Sequence, residues 1–133
     1  KYILFLGVSD MLKENERIDY LIREGYEIIQ NDDVFSFSTD ALLLGHLTEV
    51  RKNDKIIDLC SGNGVILLLL SAKCTQSIEG IEVQPQLVDM ARRSFVLNQL
   101  DSKLTMHLMD LKTVNYTQIF KSWKKMLKGS TRV

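Results

Sequence analysis

The sequence predicts an α/β fold built on parallel strands, and three observations carry that prediction. Three short, largely apolar runs, at 55–59, 77–83 and 103–108, are separated by segments of helical character. Each run ends at or beside an acid: Asp58, Glu82 and Asp110. The first run passes into the second helix through Asp58-Leu59-Cys60-Ser61-Gly62-Asn63-Gly64, a tight turn with two closely spaced glycines. Strands that alternate with helices are joined by crossovers and therefore lie parallel.

Taken in order, Tyr2 to Val8 is apolar but short and has no small-residue cleavage site after it. It fits a strand, or translated upstream sequence before Met11, better than a signal peptide. Residues 14–30 are mixed: Leu21 and Ile22 give weak helical periodicity, Gly25 breaks it, and Tyr26 to Gln30 reads as a short strand. Asp32-Asp33 signals a turn. Ser38-Thr39-Asp40 opens a helix, since a hydroxyl or carboxylate there accepts from the free N–H groups of a first turn. Ala41, Leu42, Leu44 and Leu47 continue it. Asn53-Asp54 is the next turn, and the glycine loop leads to a helix over Asn63 to Ala72. Pro85 stands where a first helical turn tolerates proline, and Leu87, Met90, Ala91 and Phe95 then mark one apolar face. Gln118 to Lys128 sets Ile119, Phe120, Trp123, Met126 and Leu127 opposite lysines, the pattern of an amphipathic helix.

Composition bounds the partners. At 133 residues the chain is long enough for one ordinary domain, and 45% hydrophobic content is that of a globular core. Seventeen basic residues balance seventeen acidic ones, so net charge neither favours nor opposes a polyanion. The basic residues after Asp110 read as a solvated surface before they read as a phosphate-binding tail. Cys60 and Cys74 lack the spacing of a zinc site or a disulfide framework. They read as small core-compatible residues in a reducing, cytoplasmic setting. No stretch approaches the roughly 18–20 apolar residues of a membrane span.

The chemistry concentrates at the glycine loop. Without a Cβ, Gly62 and Gly64 let a ligand approach the main chain, and the N–H groups at the start of the following helix suit phosphate or carboxylate. The bland alternative is an ordinary strand–turn–helix. A dinucleotide fingerprint wants a small residue where Leu67 stands. The pattern D-x-x-x-G-x-G therefore favours the S-adenosylmethionine (SAM) turn over that of NAD enzymes. Ligands of open α/β sheets bind outside the carboxyl ends of the strands, where Asp58, Glu82 and Asp110 would stand together. Glu82 has the separation expected of a ribose-binding acid. Asp110 can accept from an adenine amino group, and Asp58 can hold the loop or receive a methionine ammonium. Any one of these acids alone would read as a surface or capping carboxylate; three in register with a glycine loop do not. His46 and His107 look isolated and structural. Ser61 lacks the elbow that exposes a nucleophile.

Two stretches, Val34-Phe35-Ser36-Phe37-Ser38-Thr39-Asp40-Ala41-Leu42-Leu43-Leu44 and Asp58-Leu59-Cys60-Ser61-Gly62-Asn63-Gly64-Val65-Ile66, resemble the tRNA-Val adenine-N6 methyltransferases. Asn15 to Leu21 and Gly80 to Gln84 look like the same family, and the similarity runs from about Met11 to Lys112. The resemblance implies a Rossmann-like methyltransferase fold, SAM as cofactor, and methyl transfer to an exocyclic adenine nitrogen of tRNA. It implies that Ser38, Thr39 and Asp40 line the methionine end of SAM. Asp58, Gly62, Asn63 and Gly64 would form the loop, Glu82 would take the ribose, and Asp110 the adenine. Family members continue to a strand ending in Asn-Pro-Pro-Tyr, which holds the target amine; the only proline here is Pro85. The expectation is an N-terminal extension over 1–33 and a SAM-binding domain over 34–133, its parallel sheet incomplete and its end truncated or altered. A non-catalytic SAM-binding or interaction module is the alternative.

Overall fold

The computed structural model describes residues 7–113. Five strands and three helices follow a 3-10 turn at Val8–Met11. They are β1 (Glu16–Leu21), β2 (Tyr26–Asn31), α1 (Thr39–Leu47), β3 (Ile56–Leu59), α2 (Val65–Ser71), β4 (Ile78–Glu82), α3 (Pro85–Leu97) and β5 (Leu104–Leu108). The three predicted runs form one parallel sheet in the order β3-β4-β5. Ile56 lies opposite Ile78, and Ile78 opposite Leu104. Only Gly7 and Val8 of the first apolar run are described, and Val8 opens the 3-10 turn instead of a strand. The amphipathic segment Gln118 to Lys128 lies outside the described residues.

The segment before Gly25 differs from its weak helical reading. It is β1, antiparallel to β2 from Glu16 opposite Asn31 to Leu21 opposite Tyr26. Leu21 is 3% exposed and Ile22 is 91% exposed, so the two point apart and form no helical stripe. A tight turn, closed by the Gly25 N–H on the Leu21 carbonyl at 2.8 Å, joins the strands.

This hairpin rests on α3. Ser94 Oγ accepts from the Ile29 N–H at 2.9 Å, and Asn98 bonds both the N–H and the carbonyl of Glu27, at 2.8 and 2.7 Å. Arg93 donates to Glu16 Oε2 and Oε1 at 2.6 and 2.7 Å. Burial pushes the Glu16 carboxyl up, but Arg93 and the Lys13 N–H hold it below the usual carboxylate range. Leu21 and Ile28 of the hairpin share one apolar cluster with Leu67, Ile78 and Phe95, so hairpin and sheet bury the same core.

α2 is the centre of that core. From Leu67 to Leu70 every side chain is buried, as expected of a helix that is apolar all round. Each such leucine contributes on the order of 1.5–3 kcal/mol on removal from water. α1 packs closely on α2, with Gly45 against Leu69. No glycine stops α1 or α2; lysines take the terminal carbonyls instead, where the helix dipole favours a cation. Lys73 Nζ donates to Gly45, His46 and Thr48 carbonyls at 2.8, 2.7 and 3.0 Å. Lys103 Nζ donates to the carbonyls of Ser71, at 2.6 Å, and Cys74. Among the described residues no helix is long and apolar enough to cross a membrane.

Candidate functional site

β3 feeds directly into the loop, and the Ser61 N–H extends the β3–β4 ladder by bonding the Ile81 carbonyl at 2.9 Å. The chain then turns through left-handed backbone at Gly62 (φ +57°) and Gly64 (φ +84°). Both glycines also sit in tight surroundings. A Cβ at Gly64 would lie 3.0 Å from the Phe95 ring and 3.1 Å from Ala91, and one at Gly62 would lie 3.2 Å from the Phe35 ring. Cys60 is left-handed as well (φ +60°), and it is exposed. This corrects the expectation of two core cysteines, because the turn carries residue 60 out of the sheet; Cys74 alone is buried.

Glu82, 6% exposed, braces this loop from the next strand. Its Oε2 accepts from the Gly62 N–H at 3.0 Å, and its Oε1 accepts from the Val83 and Gln84 N–H groups, both at 2.9 Å. Its carbonyl accepts from the Met109 N–H at 2.9 Å, which draws the chain before Asp110 to the same edge. Asp110 Oδ1 accepts from the Lys112 N–H at 2.8 Å. Asp58 is different: its Oδ2 is buried without a hydrogen-bond partner. Burial pushes the Asp58 carboxyl above the usual range, opposed by the neighbouring Ser61 hydroxyl. That hydroxyl donates to the Asp58 carbonyl at 2.8 Å, so Ser61 is committed to the turn.

Asn63 is wholly buried, its Nδ2 donating to the Ile29 carbonyl of β2 at 3.2 Å. Its Oδ1, like Asp58 Oδ2, lacks a partner. Thus Asp58, Gly62, Asn63, Gly64 and Glu82 converge, with Asp110 following along the edge. Ser38, Thr39 and Asp40 belong to another element, exposed at the start of α1. Ser38 holds the N-cap position in extended backbone, but its side chain makes no capping bond, so the expected hydroxyl cap is not formed. The segment reaches the loop through Phe35, which exchanges backbone bonds with Asn31, and through the Phe37 N–H, which bonds Gln30 Oε1 at 2.8 Å.

Sequence reasoning missed Phe35 and Gln30 as supports. The available signal was a buried-strand pattern, Ile28-Ile29, running straight into two polar residues, Gln30 and Asn31, both 3% exposed. The histidines are less isolated than their spacing suggests. His46 Nε2 lies 2.9 Å from Glu24 Oε1, and His107 Nε2 lies 3.6 Å from Glu79 Oε1.

A parallel sheet with a left-handed glycine loop and acids along its carboxyl edge defines an α/β nucleotide-binding architecture. Residues 25–120 match the methyltransferase small domain, and the chain belongs to that family. The tRNA1(Val) (adenine(37)-N6)-methyltransferase of Edwardsiella ictaluri is 30% identical over 74 residues, covering 55% of this chain and 30% of that protein. P. horikoshii TYW2, solved in complex with MeSAdo, superimposes with a TM-score of 0.64 at 13% identity, over 77% of this chain and 39% of that one. The Pyrococcus abyssi tRNA (uracil-54, C5)-methyltransferase, in complex with S-adenosyl-L-homocysteine, gives 0.57 at 17% identity, over 77% and 26%. These likenesses establish the Rossmann-like methyltransferase fold and bear out the family resemblance. The chain spans about a third of the length of the curated relatives it matches.

Proposed function

We propose that this chain binds SAM at the carboxyl edge of β3, β4 and β5 and belongs to an enzyme that methylates an exocyclic adenine nitrogen of tRNA. The observation that carries the reading is Asp58 Oδ2, buried and unpartnered beside a left-handed glycine loop. A buried acceptor without a partner costs about 1–3 kcal/mol, and an ammonium arriving there would remove that cost. The residues present fit the group. Asp58 would take the ammonium, Ser38, Thr39 and Asp40 the rest of the methionine end, and Asp110 the adenine amino group. A carboxylate offers about four acceptor sites; with three N–H groups already on Glu82, one site remains for a ribose hydroxyl. Asn63 would set the shape of the loop. When bound, SAM supplies a methyl group activated by its sulfonium.

The acceptor is chosen on the name of the curated relatives, tRNA1(Val) (adenine(37)-N6)-methyltransferase; such a substrate fits a cytoplasmic setting. Titration calorimetry with SAM, S-adenosylhomocysteine and NAD tests the cofactor. The first two are expected to bind, and tighter binding of NAD would overturn the assignment.

Asn-Pro-Pro-Tyr does not occur in these 133 residues, so the chain taken alone lacks that motif for holding the amine. Positioning is worth as much as about 7–11 kcal/mol in favourable cases, so without acceptors for the amine the rate should fall near background. This chain alone, incubated with unmodified tRNA and radiolabelled SAM, is expected to leave the tRNA unlabelled. Label in adenine well above a protein-free control would mean that other residues of the chain hold the amine.

A further inference from the structure

We infer that Asn63 is a positioning residue, latching the cofactor loop to the N-terminal hairpin so that the hairpin sets the geometry of the binding site. The inference rests on the SAM reading above and adds to it the N-terminal hairpin. Asn63 lies between the two left-handed glycines, and its side chain is wholly buried. Its amide is held at one end only, through Nδ2 on the Ile29 carbonyl at 3.2 Å. The adjoining residue of the same loop, Gly62, is fixed by Glu82 of β4 at 3.0 Å and has the Phe35 ring against it. Phe35 is in turn paired by its backbone with Asn31, at the end of the strand that holds Asn63. The loop therefore hangs between β4 and β2. Displacing Ile29 moves the N–H groups that a ligand would meet, whereas the Asn98–Glu27 tie lies elsewhere on the strand. Ile29 is itself secured, its N–H bonding Ser94 Oγ at 2.9 Å on α3.

The test compares Asn63→Asp, Asn63→Ala and Asn63→Ser with Asn98→Ala in the 133-residue chain. Asn98 also ties the hairpin to α3, through Glu27, but touches nothing in the loop. All four substitutions should lower the melting temperature. Only those at residue 63 should weaken SAM binding, by about tenfold, the equivalent of one hydrogen bond. They should also move the amide resonances of Gly62 and Gly64. Asn63→Asp keeps the volume but turns an acceptor toward the Ile29 carbonyl, so it should weaken binding at least as much as Asn63→Ala. A purely space-filling role predicts the reverse order. Should Asn63→Asp fail to fold, Asn63→Ser carries the comparison. Affinity within about twofold of wild type in a folded residue-63 variant, or equal losses in Asn98→Ala, would overturn the inference. If wild type takes up no SAM, the cofactor reading fails, and the glycine resonances alone then decide whether the latch exists.

Discussion

One strand apart, at the ends of β3 and β4, the fold treats two carboxylates in opposite ways. Glu82 accepts three main-chain N–H groups and is almost fully enclosed. Asp58 is only half-buried, yet its Oδ2 is enclosed without a partner, and its proton is held more tightly than usual. A carboxylate collecting several N–H donors is fixed in place by its surroundings; an acceptor enclosed without a partner is a cost that the rest of the core must offset. Acids in register along a sheet edge need not share a role. Glu82 braces the loop, while one oxygen of Asp58 is left without a partner.

The sharpest way to break this contrast is Glu82→Ala. It strands three donors, so unfolding by urea should show a loss of about 2–4 kcal/mol, with SAM affinity falling at least about tenfold. Glu79→Ala, half-exposed on the same strand, should stay within about 0.5 kcal/mol. Equal effects at the two positions would remove Glu82 from the loop's support. Next in size is Gly64→Ala, where left-handed backbone and the nearby Phe95 ring act together; a loss of about 2–3 kcal/mol is expected. Gly25→Ala has the same hand of backbone, but nothing lies within 4 Å of its Cβ position, so calorimetric melting should show only about 1 kcal/mol.

The smallest expected effect on stability, and the most telling for the comparison, is that of Asp58→Asn. With its folded value raised above the ordinary 3.8, Asp58 binds its proton in the folded state first as pH falls. Its charge therefore costs stability at neutral pH, and that cost disappears as pH drops through the raised value. Asp58→Asn should melt higher than wild type at pH 7, with the gain shrinking in acid, while SAM affinity falls. Glu16 and Asp89 run the other way. Held low by Arg93 and Lys13 against their burial, they contribute stability that is lost in acid. Comparing the variant with wild type at each pH cancels them. A variant less stable than wild type at pH 7 would show that Asp58 is satisfied in the fold.

The parallel sheet and its loop were legible because Ile56-Ile57, Ile78 to Ile81 and Leu104 to Leu108 are short apolar runs punctuated by glycine and acid. The position of the site followed from topology, since parallel strands bring their ends to one edge. What stayed hidden was three-dimensional. The weak helical reading around Leu21 failed because cross-strand pairing with Tyr26 overrode local propensity. Asn63 reads as one more loop residue until Ile29, 34 positions earlier, is placed beneath it. Nor does any pattern distinguish Asp58 from Glu82, because the difference lies in which N–H groups the folded chain turns toward each.

Lys73 sets a separate timescale for the helix that carries Ser38 to Asp40. Nine residues are too few for a helix to persist by itself in water, and Leu43, Leu44 and Leu47 lie largely exposed. α1 thus depends on one ammonium gathering three carbonyls, on the seat of Gly45 upon Leu69, and on Ala41 and Leu42 packed against the core. Its amide protons should exchange with deuterium well before those of β4, by local opening that leaves the sheet intact. Any ligand contacted by residues 38–40 then binds a population in which α1 is closed, and a substitution at Lys73, remote from the strand edge, would weaken that ligand by lowering the closed fraction.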